Sequence, residues 1–551
     1  MRYGLLLVVL ALALAMRLWV LVSLHFDGLY GQDAFAYYYH GAALWRDHAL
    51  TYSWPWLRQP LPLFFPLGES ALLAAVFALR GQATPSAALA ISLICGVATV
   101  GLVYGIALRI ANRLFSRILA STTAALAAAP IALAGLQIQA SATIMSDAPA
   151  LFWATTAVWL WTRPEPSDPY RAHQQRPMTT QNPSTRLSPR LILLAKSFEQ
   201  RHRLGRTLAY RHPAFPAFAA GACYALAVST RWEYALLAPA MGAYLLTVPQ
   251  PRRWLLPAGL GVLLAGMPQL LYSLQYSDPV LHHQWLTGWS PSHFWQARFA
   301  TVDGSQHYTM SVGAFYLLRP LLSPQSLPFP LAPFLPLGIA ALASWRPSDH
   351  TKPALALLLC WWLVPALYLA GVPFESDRFT LIYLPPLAIL EATGFVATVT
   401  AFARWTNRAR PWAAILAVLW AVCSLSLLAA EARGGVEALT HGKAGDLAAV
   451  GWLRSHALPG APIATFGLTL MLYHYGDPAA RRWTLLDLSA ATSTDLARAA
   501  RAPTLIVAVN EGNLATQWRG LPPQRAFVWL QIHAQLRPQA HIGGYTIFRH
   551  R

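Results

Sequence analysis

The chain has 551 residues, of which 56% are hydrophobic and only 11% are charged. A soluble protein carries roughly 25% charged residues, so this composition excludes an ordinary soluble multidomain enzyme. The net charge is +19, and because most basic residues lie between apolar runs, it indicates membrane topology and no nucleic-acid partner. The four cysteines lie inside apolar runs without metal-ligand spacing, which disfavours a disulfide framework or a zinc site.

Apolar runs recur along the first 430 residues, and a bilayer core requires about 20 apolar residues per helix. The first run continues past the cleavage-like Ala13–Ala15, so we interpret it as an uncleaved anchor rather than a signal peptide. The pattern predicts an all-α polytopic membrane protein with about 11 transmembrane helices. The runs are Gly4–Leu24, Ser86–Leu108, Ile118–Leu136, Ala148–Trp161, Ala214–Ser229, Tyr234–Val248, Leu255–Tyr272, Leu327–Ser344, Pro353–Val372, Phe379–Val399 and Trp412–Ala430.

One further apolar stretch, Leu61–Leu79, is broken by two prolines, a glycine and a glutamate. If it does not span and the N-terminus is cytoplasmic, the cytoplasmic connections hold 20 Lys and Arg, and the outer loops up to residue 430 hold seven. This is the expected positive-inside bias, and a spanning Leu61–Leu79 would reverse it. We therefore predict that the stretch is an amphipathic helix at the outer interface.

The odd number of spans predicts that the C-terminus lies outside. We expect a transmembrane domain over 1–430, with outer loops at 25–85 and 277–326 and a basic cytoplasmic segment at 163–211. Residues 431–551 read as a small extracytoplasmic α/β domain. Its extended segments are predicted at Pro462–Phe466, Thr504–Val509 and Tyr545–Phe548, and its helices at Asp446–His456 and Asp495–Arg501.

Acidic residues are scarce, and ionisable groups at the edge of a span are functional candidates. Asp33 follows the first run in an aromatic segment that also holds Tyr37, and Asp147 begins the fourth run. The alternative for each carboxylate is a cap on the helix that follows it. Glu391 alone lies near the middle of a span, which gives no chain of acids for ion coupling.

Arginines accompany these acids on the same predicted face. Arg58 lies in the proline-containing segment of the first loop, and Arg231 comes two residues before Glu233. Arg378 follows Asp377 at the start of the tenth run. The alternatives are a local pair between Arg231 and Glu233, and an Arg378 side chain that snorkels at the interface or pairs with Asp377.

The order of these motifs resembles the C-type glycosyltransferases, which use polyprenyl-phosphate sugars and include the protein O-mannosyltransferases and the lipid A aminoarabinose transferase. The resemblance covers most of residues 1–400, and the C-terminal outer domain also looks like that of many bacterial members. It implies that Asp33, followed by Tyr37, is the essential carboxylate of the first loop and that Asp147 is the second. Many relatives have a Glu where this chain has Ala34.

The resemblance implies a polyprenyl-phosphate sugar donor, a lipid, glycan or protein acceptor, and a bacterial inner membrane location with the site facing outward. Such chemistry requires one base, for which Asp33 is the candidate, and inverts the anomeric carbon. Arg58, Arg231 and Arg378 are candidates to hold the phosphate, and Tyr37 and Glu233 to contact the acceptor or shape the loop. Asp147 could orient the acceptor, position Asp33, or bind a divalent metal with it.

Three other classes of protein fit the composition. A binding or scaffold protein is disfavoured by the acids and arginines that lie on one predicted face. An O-antigen ligase or polymerase also uses lipid-linked sugars at outer loops, but normally lacks the early Asp-xxx-Tyr loop and the outer C-terminal domain. A lipid or polysaccharide transporter would require a polar path through the bilayer centre or repeated halves, and the sequence has neither feature.

Overall fold

The computed structural model describes residues 2–54, 56–57, 59–62, 65–162, 214–246, 252–276, 288–301, 303–344, 351–405, 410–476 and 483–551. Arg58, the basic segment 163–211 and part of the outer loop 277–326 lie outside these residues, so what the sequence indicates for them stays a prediction.

Helices occupy all eleven predicted apolar runs. Three of the helices are entered through a 3-10 turn, at Trp232–Leu237, Phe329–Phe334 and Asp377–Tyr383, and a fourth 3-10 turn covers Pro291–Trp295. In the described residues the α-helices up to the end of the last run are α1 (Arg2–Ser23), α2 (Gln32–Arg46), α3 (Leu67–Arg80), α4 (Pro85–Ala111), α5 (Arg117–Leu133), α6 (Gly135–Ala142), α7 (Asp147–Trp161), α8 (Ala214–Thr230), α9 (Ala238–Leu245), α10 (Arg252–Gln275), α11 (Val312–Leu322), α12 (Leu335–Ser344), α13 (Thr351–Leu369), α14 (Leu384–Trp405) and α15 (Arg410–His456).

The multi-pass membrane architecture is confirmed. Within the described residues six helices are long and apolar enough to cross a bilayer, or seven if the bent pair α5–α6 forms one span. Shorter helices fill the remaining runs, so the count of eleven spans stays a prediction.

The first outer loop folds into two helices, α2 and α3, joined through a short antiparallel pair, β1 (Thr51–Tyr52) and β2 (Leu61–Pro62). Helix α3 covers most of the stretch Leu61–Leu79. Its 14 residues reach about 21 Å at 1.5 Å per residue, which is short of a bilayer core of about 30 Å. This length agrees with a helix that does not span.

The third predicted run is broken at Ala134, where α5 and α6 meet at a bend of 58°. A break inside a membrane frees backbone groups that must find other partners. The buried Arg17 of α1 donates to the carbonyl of Ala132 at 3.1 Å, and the N–H of Leu136 donates to the carbonyl of Gln325 at 3.2 Å. These bonds give partners to backbone groups that the break leaves without their usual helical ones.

The C-terminal region is a mixed α/β unit, as predicted. Helix α15 runs without interruption through the predicted boundary at 430/431. Five strands follow, β5 (Pro462–Thr465), β6 (Thr484–Asp487), β7 (Ile506–Val509), β8 (Arg537–Ile542) and β9 (Tyr545–Arg549), and they lie side by side in the order β6-β5-β7-β9-β8. The first three are parallel, and β9 is antiparallel to both of its neighbours. All four residues of the central strand β7 are buried, which is typical of a strand covered on both faces. The remaining elements in the described residues are β3 (Arg298–Thr301), β4 (Gly304–His307), α16 (Thr469–Met471), the π-helical turn Leu472–Gly476, α17 (Ser493–Ala500), α18 (Glu511–Thr516) and α19 (Pro522–His533).

Candidate active site

Asp33, Asp147 and Arg378 meet in one ionic cluster, although 345 residues separate the first from the last. The Arg378 guanidinium donates through Nη1 to Asp33 Oδ2 at 3.2 Å and through Nη2 to Asp147 Oδ2 at 2.9 Å. The Asp147 side chain is 2% exposed, whereas those of Asp33 and Arg378 are 32% and 37% exposed. One arginine therefore joins a buried carboxylate to a partly exposed one.

Arg231 pairs with the other oxygen of Asp147. Its Nη1 lies 2.9 Å from Asp147 Oδ1, and its Nη2 lies 3.1 Å from Glu233 Oε1. The local pair with Glu233 that the sequence left open is therefore present, together with a long-range pair to the site. At 12% exposure, the Arg231 side chain lies deeper than Arg378.

The alternative roles predicted for the two aspartates do not match the geometry. Gly31, with φ at +79°, occupies the cap position of α2 and Ser146 that of α7, and neither cap uses a side-chain hydrogen bond. Asp33 and Asp147 lie in the first turn of their helices, where the helix dipole favours negative charge. Their carboxylates instead bind arginines from distant segments.

Arg378 also does not pair with its neighbour. Asp377 accepts hydrogen bonds from Arg319 at 3.2 and 3.4 Å. This leaves the Arg378 guanidinium, carried on the 3-10 turn that leads into α14, directed at the aspartates. The turn thus separates two adjacent charged residues into two different ion pairs.

Tyr37 stabilises the junction between α2 and α7. Its hydroxyl donates to Ser146 Oγ at 3.0 Å, and its ring stacks on Phe65 with centroids 5.0 Å apart. Tyr37 is buried, and burial raises the pKa of its hydroxyl well above the ordinary value. The hydroxyl thus stays protonated and acts as a hydrogen-bond donor beside the site.

A cavity of about 340 Å³ opens next to the ionic cluster. Asp33, Asp147 and Arg378 lie in its wall together with neutral polar residues. Such a lining offers donors and acceptors to a hydroxyl-rich ligand and a cation to an anionic one. The neutral polar members are Tyr30, Gln32, Gln139 and Thr143.

Glu69 is an acidic residue of α3 that the sequence analysis did not single out as a site residue. It is fully buried, and neither carboxyl oxygen has a hydrogen-bond partner among the described residues. Burial raises the pKa of Glu69 well above its ordinary value, and the charge of Asp147 adds to the shift. A neutral carboxylic acid therefore lies behind the cluster. Its only signal in the sequence was a single acid within an apolar stretch.

The arrangement does not fit a divalent metal between Asp33 and Asp147. The Arg378 guanidinium bridges the two carboxylates, and Arg231 holds the remaining oxygen of Asp147. Within the described residues, no three His, Cys, Asp or Glu side chains group as a metal site would require. The cation in contact with both carboxylates is thus a side chain of the protein.

Comparison with solved structures finds the same overall fold in two enzymes. No family model matches the chain, and no curated protein matches it in sequence. The structural matches extend over nearly the whole chain, and they include structures of one bacterial and one archaeal enzyme.

The bacterial enzyme is ArnT, the lipid A aminoarabinose transferase, from Cupriavidus metallidurans. Its apo structure matches with a TM-score of 0.56 at 14% identity, over 100% of this chain and 98% of that one. Its complex with undecaprenyl phosphate matches with a TM-score of 0.54 over the same shares, again at 14% identity.

The archaeal enzyme is the oligosaccharyltransferase AglB from Archaeoglobus fulgidus. Its complex with an inhibitory peptide and a dolichol-phosphate matches with a TM-score of 0.50 at 12% identity, over 96% of this chain and 71% of that one. Another structure of the archaeal enzyme contains Zn and sulfate. The resemblance to C-type glycosyltransferases is therefore confirmed at the level of the fold.

Proposed function

We propose that this protein transfers a sugar from a polyprenyl-phosphate donor to an acceptor hydroxyl at the outer face of a bacterial inner membrane. The observation that carries the proposal is the bridge from Arg378 to Asp33 and Asp147 in the wall of the cavity. It brings a carboxylate that can act as a base beside a cation that can hold a phosphate. The fold shared with ArnT and AglB supports the same reaction class.

Asp33 is the base in this proposal. Its Oδ2 accepts from Arg378, while Oδ1 makes no hydrogen bond with the described residues and can accept a proton from the acceptor. The acceptor oxygen attacks the anomeric carbon, the bond from that carbon to the phosphate oxygen breaks, and polyprenyl phosphate leaves. With one base and no covalent intermediate, the anomeric carbon is inverted.

Arg378 holds the departing phosphate. Among the described residues it is the one arginine in the cavity wall, and a fixed guanidinium stabilises the negative charge that grows on the leaving group. Arg231 has a supporting role, because its contacts with Asp147 and Glu233 keep Asp147 ionised and in place. Arg58 remains a second candidate for the phosphate, and no step of the proposal depends on a metal.

The test is transfer by purified protein from a radiolabelled polyprenyl-phosphate sugar in liposomes. The acceptor can be identified beforehand by mass spectrometry of envelope lipids and glycans from a deletion strain. Asp33→Asn keeps the side-chain shape but removes the base, so turnover should fall by roughly two to four orders of magnitude. Asp47→Asn is the matched control, since this exposed residue directly follows the last residue of the same helix, and it should leave turnover unchanged.

Other outcomes would point to the competing functions. Efficient transfer from a nucleotide sugar without a lipid carrier would overturn the proposal, as would full turnover by Asp33→Asn. Movement of the intact lipid-linked sugar across the bilayer, with no new glycosidic bond, would indicate a transporter.

A further inference from the structure

The C-terminal region contacts the segment that carries Asp33 at two separate points. Asp27 lies in the connection between α1 and α2, six residues before Asp33, and Tyr39 lies on α2, six residues after it. Both residues bind groups from the chain beyond residue 440. The candidate base is therefore held between two attachments.

The first attachment is an ion pair between a buried lysine and an aspartate whose side chain is 37% exposed. The Lys443 ammonium on α15 donates to Asp27 Oδ1 and, at 2.9 Å, to the Tyr475 hydroxyl. Tyr475 in turn donates to Asp27 Oδ2 at 2.6 Å, and the Lys443 side chain is only 6% exposed. Although burial favours the neutral acid, the hydrogen bonds from Lys443 and Tyr475 lower the pKa of Asp27. Burial also lowers the pKa of Lys443, and its contact with Asp27 opposes that shift.

The second attachment is aromatic. His474 Nδ1 lies 2.8 Å from the Tyr39 hydroxyl, and the His474 ring packs against Phe35 and Tyr38 with both centroid distances at 5.8 Å. Tyr473 adds an edge contact to Trp54, which follows β1. These contacts come from the π-helical turn Leu472–Gly476, a rare conformation that is frequent at functional sites.

The same region reaches the cavity. Leu439 of α15 lies in the cavity wall, and so does Tyr30, which is one residue before Gly31. The Tyr30 hydroxyl lies so close to Gly442 that a Cβ there would approach it to 2.4 Å. Residues 439–443 thus contact the connection that ends at the first turn of α2.

We propose that Lys443 and the turn Tyr473–Tyr475 are positioning residues for the transfer reaction, acting through Asp27 and α2 to set the location of Asp33. This inference rests on the proposed function for its catalytic readout. A positioned base must stay within hydrogen-bond reach of the acceptor, and small misplacements are costly because catalysis depends on near-attack geometry. The C-terminal region is then a structural part of the active site.

The main test compares Lys443→Met with Arg433→Met in the full-length protein. Arg433 lies on the same helix, is 69% exposed and pairs with Glu437, so its loss should leave turnover unchanged. We expect Lys443→Met to lower kcat by on the order of 100-fold with donor KM unchanged, and Lys443→Arg to restore most of it. Tyr475→Phe, which removes a single hydroxyl, should lower kcat in the same direction and serves if Lys443→Met does not fold.

A second readout is independent of the reaction. Amide hydrogen exchange in residues 32–46 should become faster in Lys443→Met and stay unchanged in Arg433→Met. If the wild-type protein transfers no sugar, the proposed function fails, and the exchange rates still decide the inference. Unchanged exchange in α2, or a lower melting temperature with wild-type kcat and KM, would overturn the positioning role.

Discussion

Replacement of Arg378 by Met removes the guanidinium from the centre of the ionic cluster and keeps most of the apolar stem. Two charge-assisted contacts are lost, at 3.2 Å to Asp33 and 2.9 Å to Asp147. A hydrogen bond to a charged group contributes about 1.5–3 kcal/mol. The contact to Asp33 lies toward the weak end, because that side chain is 32% exposed and water screens the pair.

The loss in the free energy of unfolding of Arg378→Met depends mainly on the contact with Asp147. At 2% exposure it cannot exchange its lost partner for water, yet Arg231 still neutralises it from 2.9 Å. Removal of the sole partner of a buried charge costs about 3–5 kcal/mol. Since one partner remains here, we expect a loss of about 1.5–3 kcal/mol, the size of one charged contact.

The effect on donor use follows from the same contact energy. If Arg378 holds the leaving phosphate, kcat/KM for the donor should fall by about 10- to 150-fold, because 1.4 kcal/mol is a factor of ten. Acceptor KM should change little. The assay is steady-state transfer at varied donor and then varied acceptor, alongside a thermal melt in detergent.

Arg319→Met provides the matched control. Arg319 is 38% exposed and binds Asp377, the residue next to Arg378, and it is absent from the described wall of the cavity. The Arg319→Met variant should be less stable than the wild type, but its donor kinetics should not change specifically. If both variants lose stability alike and keep wild-type donor kinetics, Arg378 is a structural residue and the assignment of the phosphate is wrong.

Two further predictions concern pH and topology. Burial raises the pKa of Glu375 from 4.5 to about 7, with Arg319 opposing the shift and Asp377 adding to it. The folded protein then holds a proton that the unfolded chain releases, so this group lowers stability as pH rises from about 4.5 to 7 and adds no further loss above that. Between pH 4.5 and about 7 the melting temperature of Glu375→Gln should rise relative to that of the wild type, while that of the exposed Glu511→Gln should not. If the melting temperatures of Glu375→Gln and wild type change equally with pH, the argument is contradicted. For topology, the first 430 residues have 20 Lys and Arg in the cytoplasmic connections and seven in the outer loops, which predicts an external reporter after Arg551 and a cytoplasmic one at Gln181. A cytoplasmic C-terminus would mean that Leu61–Leu79 spans the membrane, and the outward-facing site would then be lost.

The membrane helices could be predicted because long apolar runs and the distribution of arginines are local properties of the sequence. The same scarcity of charge made Asp33, Asp147, Arg231 and Arg378 stand out. The break at Ala134 was missed, because Ile118–Leu136 is predominantly apolar and its local signs are only Pro130 inside the helix and Gly135 directly after the break. The side chain that bonds to the carbonyl of Ala132 comes from α1, so the sequence of the run alone does not identify it.

Partner choice within the cluster was likewise outside the reach of sequence patterns. Asp377 directly precedes Arg378, and local reasoning favours a pair between them. In the structure Asp377 lies at the start of the 3-10 turn and pairs with Arg319 instead. In the C-terminal region the buried strands β5, β7 and β9 were predicted from their apolar residues. The strands β6 and β8 were missed, because β6 is only partly buried and β8 is polar and largely exposed.

The location of the site has a physical reason that joins these local features. Asp33 and Asp147 each lie in the first turn of a helix, and Arg378 lies in the first turn of the 3-10 segment that leads into α14. Three N-terminal ends therefore meet at one edge of the bundle, and each end carries a partial positive charge from its unpaired N–H groups. That field stabilises the two carboxylates beside Arg378 and would also attract an incoming phosphate. In the proposed reaction, a phosphate that approaches Arg378 would compete with Asp33, the more exposed of the two acids, and the contact between Arg231 and Asp147 would remain. Donor binding would thus loosen the carboxylate that must take the proton and leave the buried one in place.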